Sequence, residues 1–226
     1  MKVLITSGGT SEPIDSVRSI TNHSTGRLGA KIAETYLTHG DEVTLITTKR
    51  SEKPASHPHL TIILVDTVKS LEQALQEQVP HHDVIVHSMA VSDYSPTYMT
   101  GLDSVLQTED LQGLAQNQNQ ELKISSSDEI QVLFLKKTPK LISMIKKWNP
   151  AIRLIGFKLL VGVSLEELLH VARESLKKNH ADFIVANDLH QIDGDQHLAY
   201  LLSQDQVEIA HTKDELADLI YRKTKG

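Results

Sequence analysis

The sequence contains no cysteine. This absence excludes disulfide bonds, thiolate metal sites and a cysteine nucleophile on the protein. Any thiol chemistry in which the protein takes part must therefore belong to a substrate.

Positive charge and long hydrophobic runs are also scarce. The 23 lysine and arginine residues stand against 29 aspartate and glutamate residues, which gives a net charge of −6. A chain with this balance has no general field that attracts nucleic acid or an anionic membrane. No apolar run approaches the length of about 18 residues that indicates a membrane-spanning helix. We therefore expect no nucleic-acid partner, no membrane segment, no signal peptide and a cytoplasmic location.

Short runs rich in β-branched residues alternate with amphipathic stretches along the chain. They predict strands at 2–6, 42–47, 60–65, 83–87, 152–157 and 182–186, and helices at 29–38, 68–79, 139–147 and 165–179. The strand candidates are apolar almost throughout, which is typical of a parallel sheet with helices on both faces. We therefore predict the α/β class, with a Rossmann-like, doubly wound and mostly parallel sheet.

Two segments depart from this alternation. Residues 94–122 contain proline, glycines and a run of glutamine and asparagine, and we interpret them as a weakly helical insertion that forms a flap or a dimerisation arm. Near the end of the chain, 198–203 and 206–210 predict a hairpin, and 213–221 predict a final helix. Because no linker divides the chain, we expect one domain over residues 1–226.

Two glycine-containing bends follow the first predicted strand. The first contains Gly8 and Gly9, and the second opens the first helix with Ser24, Thr25, Gly26 and Arg27. Backbone N–H groups at a paired glycine or at a helix start can bind a phosphate or a carboxylate. A simple tight turn and a simple helix cap are the alternatives for the two bends.

The first bend does not have the G-x-G-x-x-G spacing of a dinucleotide site. An NAD site would also place an acidic residue at the end of the second strand, where the sequence has Lys49 and Arg50 after two threonines. NAD is therefore disfavoured. An NADP-dependent reductase, with Lys49 or Arg50 at the 2'-phosphate, stays open.

Further candidates follow the later strands, where ligands of open α/β sheets bind. Ala90 and Asp93 follow the fourth strand, Phe157 ends the fifth and Asn187 follows the sixth, while Lys123 ends the insertion. Small residues and a carboxylate suit a nucleoside, and a phenylalanine ring can lie against a base. The alternatives are that Asp93 caps a helix, that Phe157 packs in the core and that Lys123 faces solvent.

The twelve histidines raise the question of a metal site. The closest pairs, at 57 and 59 and at 81 and 82, precede strands and so belong to the edge of the sheet opposite the expected cleft. We therefore disfavour a metal centre there and assign no metal ligands. The G-x-S-x-G motif of a nucleophile elbow is absent as well.

Taken in order, these blocks resemble phosphopantothenate–cysteine ligase, in its free-standing bacterial form. The matching blocks are 5–18, 22–26, 90–94, 123–126, 156–158 and 186–188. The resemblance implies that 4'-phosphopantothenate, L-cysteine and a nucleoside triphosphate, CTP or ATP, react with Mg²⁺ in coenzyme A biosynthesis. A carboxylate attacks the α-phosphorus and expels pyrophosphate, and the cysteine amine then displaces the nucleoside monophosphate.

The resemblance also implies roles for the candidate residues. Asn22 holds the acyl intermediate during the amine step, and Lys123 contacts phosphate from a mobile segment. Gly8, Gly9, Ala90, Asp93 and Phe157 bind the nucleotide, and the remaining candidates, Ser24, Thr25, Gly26, Arg27 and Asn187, bind phosphate or substrate.

Family members are dimers in which an arm of one subunit reaches the cleft of the other, and residues 94–122 fit that arm. Where some members have Lys-Ile-Lys-Lys, this chain has Lys123 followed by isoleucine and two serines, so the choice of nucleotide stays open. A non-catalytic nucleotide-binding regulator is a further alternative.

Overall fold

A computed structural model describes residues 1–119, 122–194 and 196–225. In chain order the strands are β1 (Lys2–Ser7), β2 (Ser11–Pro13), β3 (Ser19–Thr21), β4 (Glu42–Thr47), β5 (Leu60–Leu64), β6 (Val84–His87), β7 (Tyr94–Gly101), β8 (Gln131–Lys137), β9 (Arg153–Leu160), β10 (Phe183–Asp193), β11 (Gln196–Leu202) and β12 (Val207–Thr212). The helices are α1 (Arg27–Thr38), α2 (Val68–Gln78), α3 (Leu102–Gln107), α4 (Leu111–Ala115), α5 (Ile142–Trp148), α6 (Leu165–Asn179) and α7 (Lys213–Lys225), and a 3-10 turn covers Val79–His81.

Within the described residues, eight strands form the central sheet in the order β12-β11-β10-β9-β6-β1-β4-β5. The strands from β5 to β10 in this order are parallel, and β11 and β12 extend the sheet antiparallel. The predicted Rossmann-like, mostly parallel α/β sheet and its C-terminal hairpin are confirmed. Because β1 has β4 on one side and β6 on the other, the strand order reverses beside β1, and a crevice is expected at that point.

Two apolar clusters cover the two faces of the sheet. Successive residues of β1 alternate between them, because strand side chains point to opposite faces: Leu4 lies in one cluster, and Val3 and Ile5 lie in the other. Helices α2, α5 and α6 pack on the first face, while α1 and α7 pack on the second. Burial on both faces explains why the parallel strands are apolar almost throughout.

The bounds of α6 match the predicted helix. The Ser164 hydroxyl caps it by accepting a hydrogen bond from the Glu167 N–H at 3.2 Å. In the described part of the chain, no helix has both the length and the apolar character that a membrane crossing requires.

The structure differs from the prediction in two segments. The stretch interpreted as a weakly helical insertion begins as strand β7, which pairs antiparallel with β8, and it contains the short helices α3 and α4. The loop after β1 contains the small hairpin β2–β3. Gln120 and Glu121, near the end of the predicted insertion, lie outside the described residues.

Candidate active site

The first glycine bend continues β1 and is tied to the segment that follows β6. The Gly8 carbonyl accepts from the Ala90 N–H at 2.8 Å, and the Thr10 N–H donates to the Ala90 carbonyl at 3.0 Å. Gly8 has a φ of +91°, and a Cβ at this position would lie 2.0 Å from the Ser51 Oγ. The bend therefore requires glycine, because the backbone is left-handed and the loop after β4 packs directly against it.

The second bend is held against the first. The Ser7 hydroxyl donates to the Gly26 carbonyl at 2.9 Å, and Gly26 has a φ of +80°. Helix α1 begins directly after Gly26, and the Thr25 hydroxyl accepts from its first N–H, that of Arg27, at 3.3 Å. The helix-capping alternative therefore has support at Thr25, while the N–H groups that follow Arg27 are positioned to bind an oxyanion.

Asn22 connects these bends. Its amide nitrogen donates to the Ser92 Oγ at 2.9 Å and to the Ala90 carbonyl at 3.3 Å, and the Ser92 Oγ also accepts from the Thr10 hydroxyl at 3.0 Å. The backbone N–H of Asn22 donates to the Thr10 carbonyl at 3.2 Å. The side chain is therefore fixed between β1 and the segment after β6.

A cleft of about 510 Å³ lies at this edge of the sheet. The predicted residues that line it are Gly8, Ser24, Thr25, Gly26, Arg27, Ala90, Asp93, Phe157 and Asn187. They come from five separate parts of the chain and meet where the strand order reverses, as expected for a ligand site of an open α/β sheet.

Cationic side chains predominate in this cleft. Arg27, Lys140, Lys158 and Lys213 line it, and Asp93 is the carboxylate on its described wall. Although the whole chain has a net charge of −6, the local balance is therefore positive. Such a cleft attracts an anionic ligand.

A second cleft of about 610 Å³ adjoins the first, because His23, Ser24 and Thr25 line both. Gly9 and Asn22 line this second cleft, as do Lys49 and Arg50 at the end of β4. The residues predicted to act together are thus divided between two neighbouring cavities that meet at the start of α1.

Asp93, Phe157 and Asn187 lie on the wall opposite the glycine bends. Asp93 is 61% exposed at its side chain, forms an ion pair with Lys140 and precedes a strand, so it does not cap a helix as the alternative expected. Phe157 is half-buried on β9, and Asn187 is buried on β10. Asp93, Phe157 and Asn187 therefore all line the cleft, where a nucleoside could lie.

Lys123 is the predicted residue that the structure does not bring to the site. Its side chain is exposed and lines neither cleft. Its neighbour Ile124 is anchored elsewhere, because the Ile124 N–H donates to the Asp15 carboxylate at 3.2 Å and Arg18 donates to the Ile124 carbonyl at 3.1 Å. The ion pair with Arg18, with help from backbone N–H groups, holds the pKa of Asp15 well below its usual range.

Two buried histidines line the first cleft and have depressed pKa values. Burial lowers the pKa of His87 to about 4, and its Nδ1 lies 2.8 Å from the Thr6 hydroxyl. Burial, with the positive charge of Lys213, lowers the pKa of His197 to about 4. Both imidazoles are therefore neutral near pH 7.

Metal-ligating side chains are not clustered in the described residues. In the described part of the chain, no group of three or more histidine, aspartate or glutamate residues is placed to hold an ion. His82, one of the histidines considered from the sequence, has both ring nitrogens within hydrogen-bond distance of Gln78 and Thr44. The carboxylate at the cleft suits only a Mg²⁺ ion that arrives with phosphate ligands and keeps its water.

Sequence reasoning missed several cleft residues that the fold places there. They are Ser92, Lys140, Lys158, His197 and Lys213 in the first cleft, and Thr48 and Ser51 at the glycine bends. Ser92 and Lys158 are next to Asp93 and Phe157, and Thr48 and Ser51 flank Lys49 and Arg50, so the neighbouring motifs are a signal for these four. Lys140, His197 and Lys213 have no such neighbour, and their place at the cleft depends on the packing of distant strands.

The comparisons with known proteins agree with this architecture. A 56% identical structure from Streptococcus pneumoniae, described as a DNA/pantothenate metabolism flavoprotein, covers all of this chain and 98% of its own, with a TM-score of 0.96. The C-terminal domain of the coenzyme A biosynthesis bifunctional protein CoaBC is 25% identical, with a TM-score of 0.73, and the match covers 98% of this chain and 92% of that one.

Sequence relatives give the same result. The coenzyme A biosynthesis bifunctional protein CoaBC of Thermococcus kodakarensis is 33% identical over 224 residues, which are 97% of this chain and 50% of the relative. The chain thus spans about half the length of these curated relatives. The family described as the DNA/pantothenate metabolism flavoprotein C-terminal domain matches residues 1–225. The chain belongs to this family.

Proposed function

We propose that the protein is a phosphopantothenate–cysteine ligase, which joins 4'-phosphopantothenate to L-cysteine in coenzyme A biosynthesis. Family membership and the names of the CoaBC relatives support this function. A cytoplasmic location is part of the proposal and rests on it alone.

The reaction consists of two displacements. A carboxylate oxygen of 4'-phosphopantothenate attacks the α-phosphorus of the nucleotide, and the bond between the α-phosphorus and its bridging oxygen breaks to release pyrophosphate. The cysteine amine then attacks the acyl carbon, loses a proton and expels the nucleoside monophosphate. The product is 4'-phosphopantothenoylcysteine. Neither step needs a protein nucleophile, so positioning and charge neutralisation suffice.

The observation that carries the proposal is the cationic cleft beside the glycine bends. The first turn of α1 and the bend at Gly8 present backbone N–H groups, and Arg27, Lys140 and Lys158 outnumber the Asp93 carboxylate at the same cleft. This set of groups suits the charges that a triphosphate carries and that pyrophosphate takes away. Gly9, Ser24, Thr25 and Gly26 belong to the same oxyanion-binding wall in this proposal.

Asn22 is the proposed residue of the amine step. Its amide nitrogen is engaged with Ser92 and Ala90, which fixes the orientation of the side chain. With both N–H groups engaged, the amide leaves its Oδ1 available to accept a hydrogen bond from the attacking amine as the tetrahedral centre forms, without reorganising. Across the first cleft, Ala90, Asp93, Phe157 and Asn187 are the proposed contacts of the nucleoside and the acyl group.

CTP is the proposed nucleotide, with ATP as the alternative, and Mg²⁺ is the proposed cofactor. The ion would neutralise charge on the phosphates when bound. Asp93 is the described carboxylate at the first cleft that could approach it, directly or through water. The residues present therefore fit a metal that the triphosphate carries.

A homodimer completes the proposal. We assign the segment that contains β7, β8, α3 and α4 as the arm that reaches a second copy, because it carries exposed apolar side chains. Lys123 lies in this region of the chain, between α4 and β8. It can contact phosphate only if its segment moves towards the clefts or reaches the cleft of the second copy.

The activity assay that tests this function measures pyrophosphate. Purified protein with Mg²⁺, 4'-phosphopantothenate, cysteine and CTP or ATP should release pyrophosphate and nucleoside monophosphate in equal amounts, together with the amide product. Omission of cysteine should limit release to about one equivalent per site. Folded protein that releases no pyrophosphate with either nucleotide would contradict the ligase function, and a regulator that only binds would give this result.

A further inference from the structure

His197 has an unusual environment at the end of the first cleft. It lies on β11, lines the cleft and is only 5% exposed. Within the described structure, its Nδ1 is closed off from solvent and has no hydrogen-bond partner. Its Nε2 lies 3.5 Å from the amide nitrogen of Asn187, the neighbouring polar side chain on β10.

A buried nitrogen without a partner is costly. Leaving such a group unpaired forfeits the hydrogen bond that it makes with water in the unfolded chain, and most buried polar groups in proteins are paired. His197 could pack equally well as a nonpolar ring, so a histidine here destabilises the free protein. Because this nitrogen is closed off from the open cleft, a ligand there can provide the missing partner when the imidazole turns about its Cβ–Cγ bond and presents the nitrogen to the cleft.

Apart from the Lys213 ammonium, the groups named in this corner are neutral, unlike the oxyanion-binding wall. The depressed pKa keeps His197 neutral, and the Lys213 ammonium donates to the Gly194 carbonyl at 2.5 Å. A neutral imidazole, the Asn187 amide and the Phe157 ring line this part of the cleft. Two neutral hydrogen-bonding groups beside an aromatic ring suit the edge and face of a nucleobase.

The sheet sets the distance between this corner and the glycine bends. In the described sheet, β6, β9 and β10 lie between β1 and β11. With adjacent strands about 4.8 Å apart, four spacings separate the two ends by about 19 Å. An extended nucleoside triphosphate has a comparable length. With its phosphates at the bends, the base would lie at Phe157, Asn187 and His197.

We propose that His197 is a specificity-determining residue, whose imidazole binds the edge of the nucleobase together with Asn187. This inference rests on the proposed function, because it requires a nucleotide in the first cleft. The oxyanion-binding wall contacts phosphates, which all nucleoside triphosphates share, so it cannot distinguish one base from another. His197 would provide that distinction.

The first test replaces the imidazole by a ring without nitrogen. His197→Phe should raise the KM for the preferred nucleotide about 3- to 10-fold, the value of one lost hydrogen bond. It should leave the KM for 4'-phosphopantothenate and cysteine unchanged, and it should reduce the preference among CTP, ATP, UTP and GTP. His197→Gln, which keeps a hydrogen-bonding group, should restore part of the preference.

Thermal unfolding separates this role from a structural one. The Tm of free His197→Phe should equal or exceed that of the wild type, because the variant has no unpaired nitrogen to bury. The rise in Tm on adding nucleotide should become smaller, while the rise on adding inorganic tripolyphosphate, which has no base, should not change. His170→Phe, at an exposed position on α6, is the matched control and should change none of these quantities.

The measurements test the role of His197 and the ligase function separately. If His197→Phe keeps the nucleotide KM and the base preference, or loses response to tripolyphosphate as well, the inference is wrong. If the wild type binds nucleotide and forms no product, the ligase function is wrong, and the Tm comparison still decides the role of His197. If the wild type responds to no nucleotide, both are overturned.

Discussion

Asn22 is fixed by two hydrogen bonds that its amide nitrogen donates, to the Ser92 Oγ and the Ala90 carbonyl. Asn22→Asp would place a carboxylate oxygen against that carbonyl and remove the donor from the site. We expect the amide product to form about 100-fold more slowly, while the acyl-nucleotidylate accumulates. Rapid quenching of single turnovers measures both species.

Asn149 provides the matched control for this substitution. Its amide also donates to two carbonyl oxygens, those of Val79 and His82, at 3.2 and 3.3 Å, but it lines neither cleft. Asn149→Asp should lower stability and leave the ratio of the two half-reactions unchanged. Equal loss of both half-reactions in Asn22→Asp would reject its special role.

The lowered pKa of His87 leads us to expect that the protein loses stability in mild acid. Its pKa is lowered from 6.5 to about 4 in the folded protein. Above pH 6.5 both states are neutral, so stability does not change. Between pH 6.5 and about 4 the unfolded state takes up a proton that the folded state does not, and below that range both are protonated. The free energy of unfolding should therefore fall by about 3 kcal/mol across this window on account of His87.

Urea unfolding at pH 7, 5.5 and 4 checks this prediction. His87→Gln should flatten the decline, although His197 and His82, whose pKa values are also lowered, leave part of it. His170→Gln, which removes an exposed histidine, should leave the decline unchanged. An equally steep decline in His87→Gln would show that this histidine does not cause it.

The candidate residues that could be predicted from sequence are those in local motifs. Gly8 and Gly26 stood in short polar bends after a strand, and both have the left-handed backbone that only glycine adopts easily. Ser51 could not be predicted, because its role depends on packing against two bends more than 20 residues away in sequence. The place of Lys123 could not be predicted either, since a lone lysine has no local signature that fixes where its side chain lies, and its role stays a prediction.

At the scale of elements, the close packing of the first glycine bend can be tested by comparing Gly8 with Gly40, a glycine that has no packed neighbours. Gly8 and Gly40 have φ values of +91° and +80°, but a Cβ at Gly40 would meet no atom within 4 Å. Gly40→Ala should therefore cost only the backbone strain, about 1 kcal/mol. Gly8→Ala adds a clash with the Ser51 side chain and should cost about 3 kcal/mol or more.

Urea unfolding and nucleotide binding together measure this difference. Gly8→Ala should also weaken the binding of tripolyphosphate, because the bend must shift away from the cleft, while Gly40→Ala should bind normally. Equal destabilisation by the two substitutions would contradict the close packing at Gly8.

Elements that pack locally could be predicted, and those that depend on distant partners could not. The bounds of β4 and α6 follow from an apolar run and from a capped amphipathic stretch. Strand β7 could not be predicted, because it contains proline and glycine and its partner β8 lies some 30 residues later in the chain. Strand β10 continues past its predicted end, since an irregularity after Asn187 lets it pair again with β11.

At the scale of the whole molecule, the arm predicts a change in oligomeric state. Leu106 and Leu111 lie in α3 and α4 and are 73% and 52% exposed. Large exposed apolar side chains in one segment are typical of an interface. The double variant Leu106→Gln and Leu111→Gln should therefore shift the protein from dimer to monomer in light scattering. Ile209→Gln, at an exposed apolar position on the edge strand β12, should not. A wild-type monomer at micromolar concentration would contradict the dimer.

If the arm of one subunit contributes Lys123 to the cleft of the other, two variants that are inactive alone should regain activity when they are mixed. Lys123 lies between α4 and β8, whereas Asn22 lies at the clefts. In a mixed dimer of Lys123→Ala and Asn22→Asp, one cleft would then have both native residues, because the two substitutions would fall in the other cleft. Random exchange of subunits at equal concentrations should give about a quarter of the wild-type rate of amide formation. If Lys123 serves the cleft of its own subunit, every cleft of the mixed dimer carries one substitution, and the rate stays at that of the variants.

Mixing Asn22→Asp with the monomeric arm variant should restore no activity. This control separates complementation across a dimer from the residual activity of the variants.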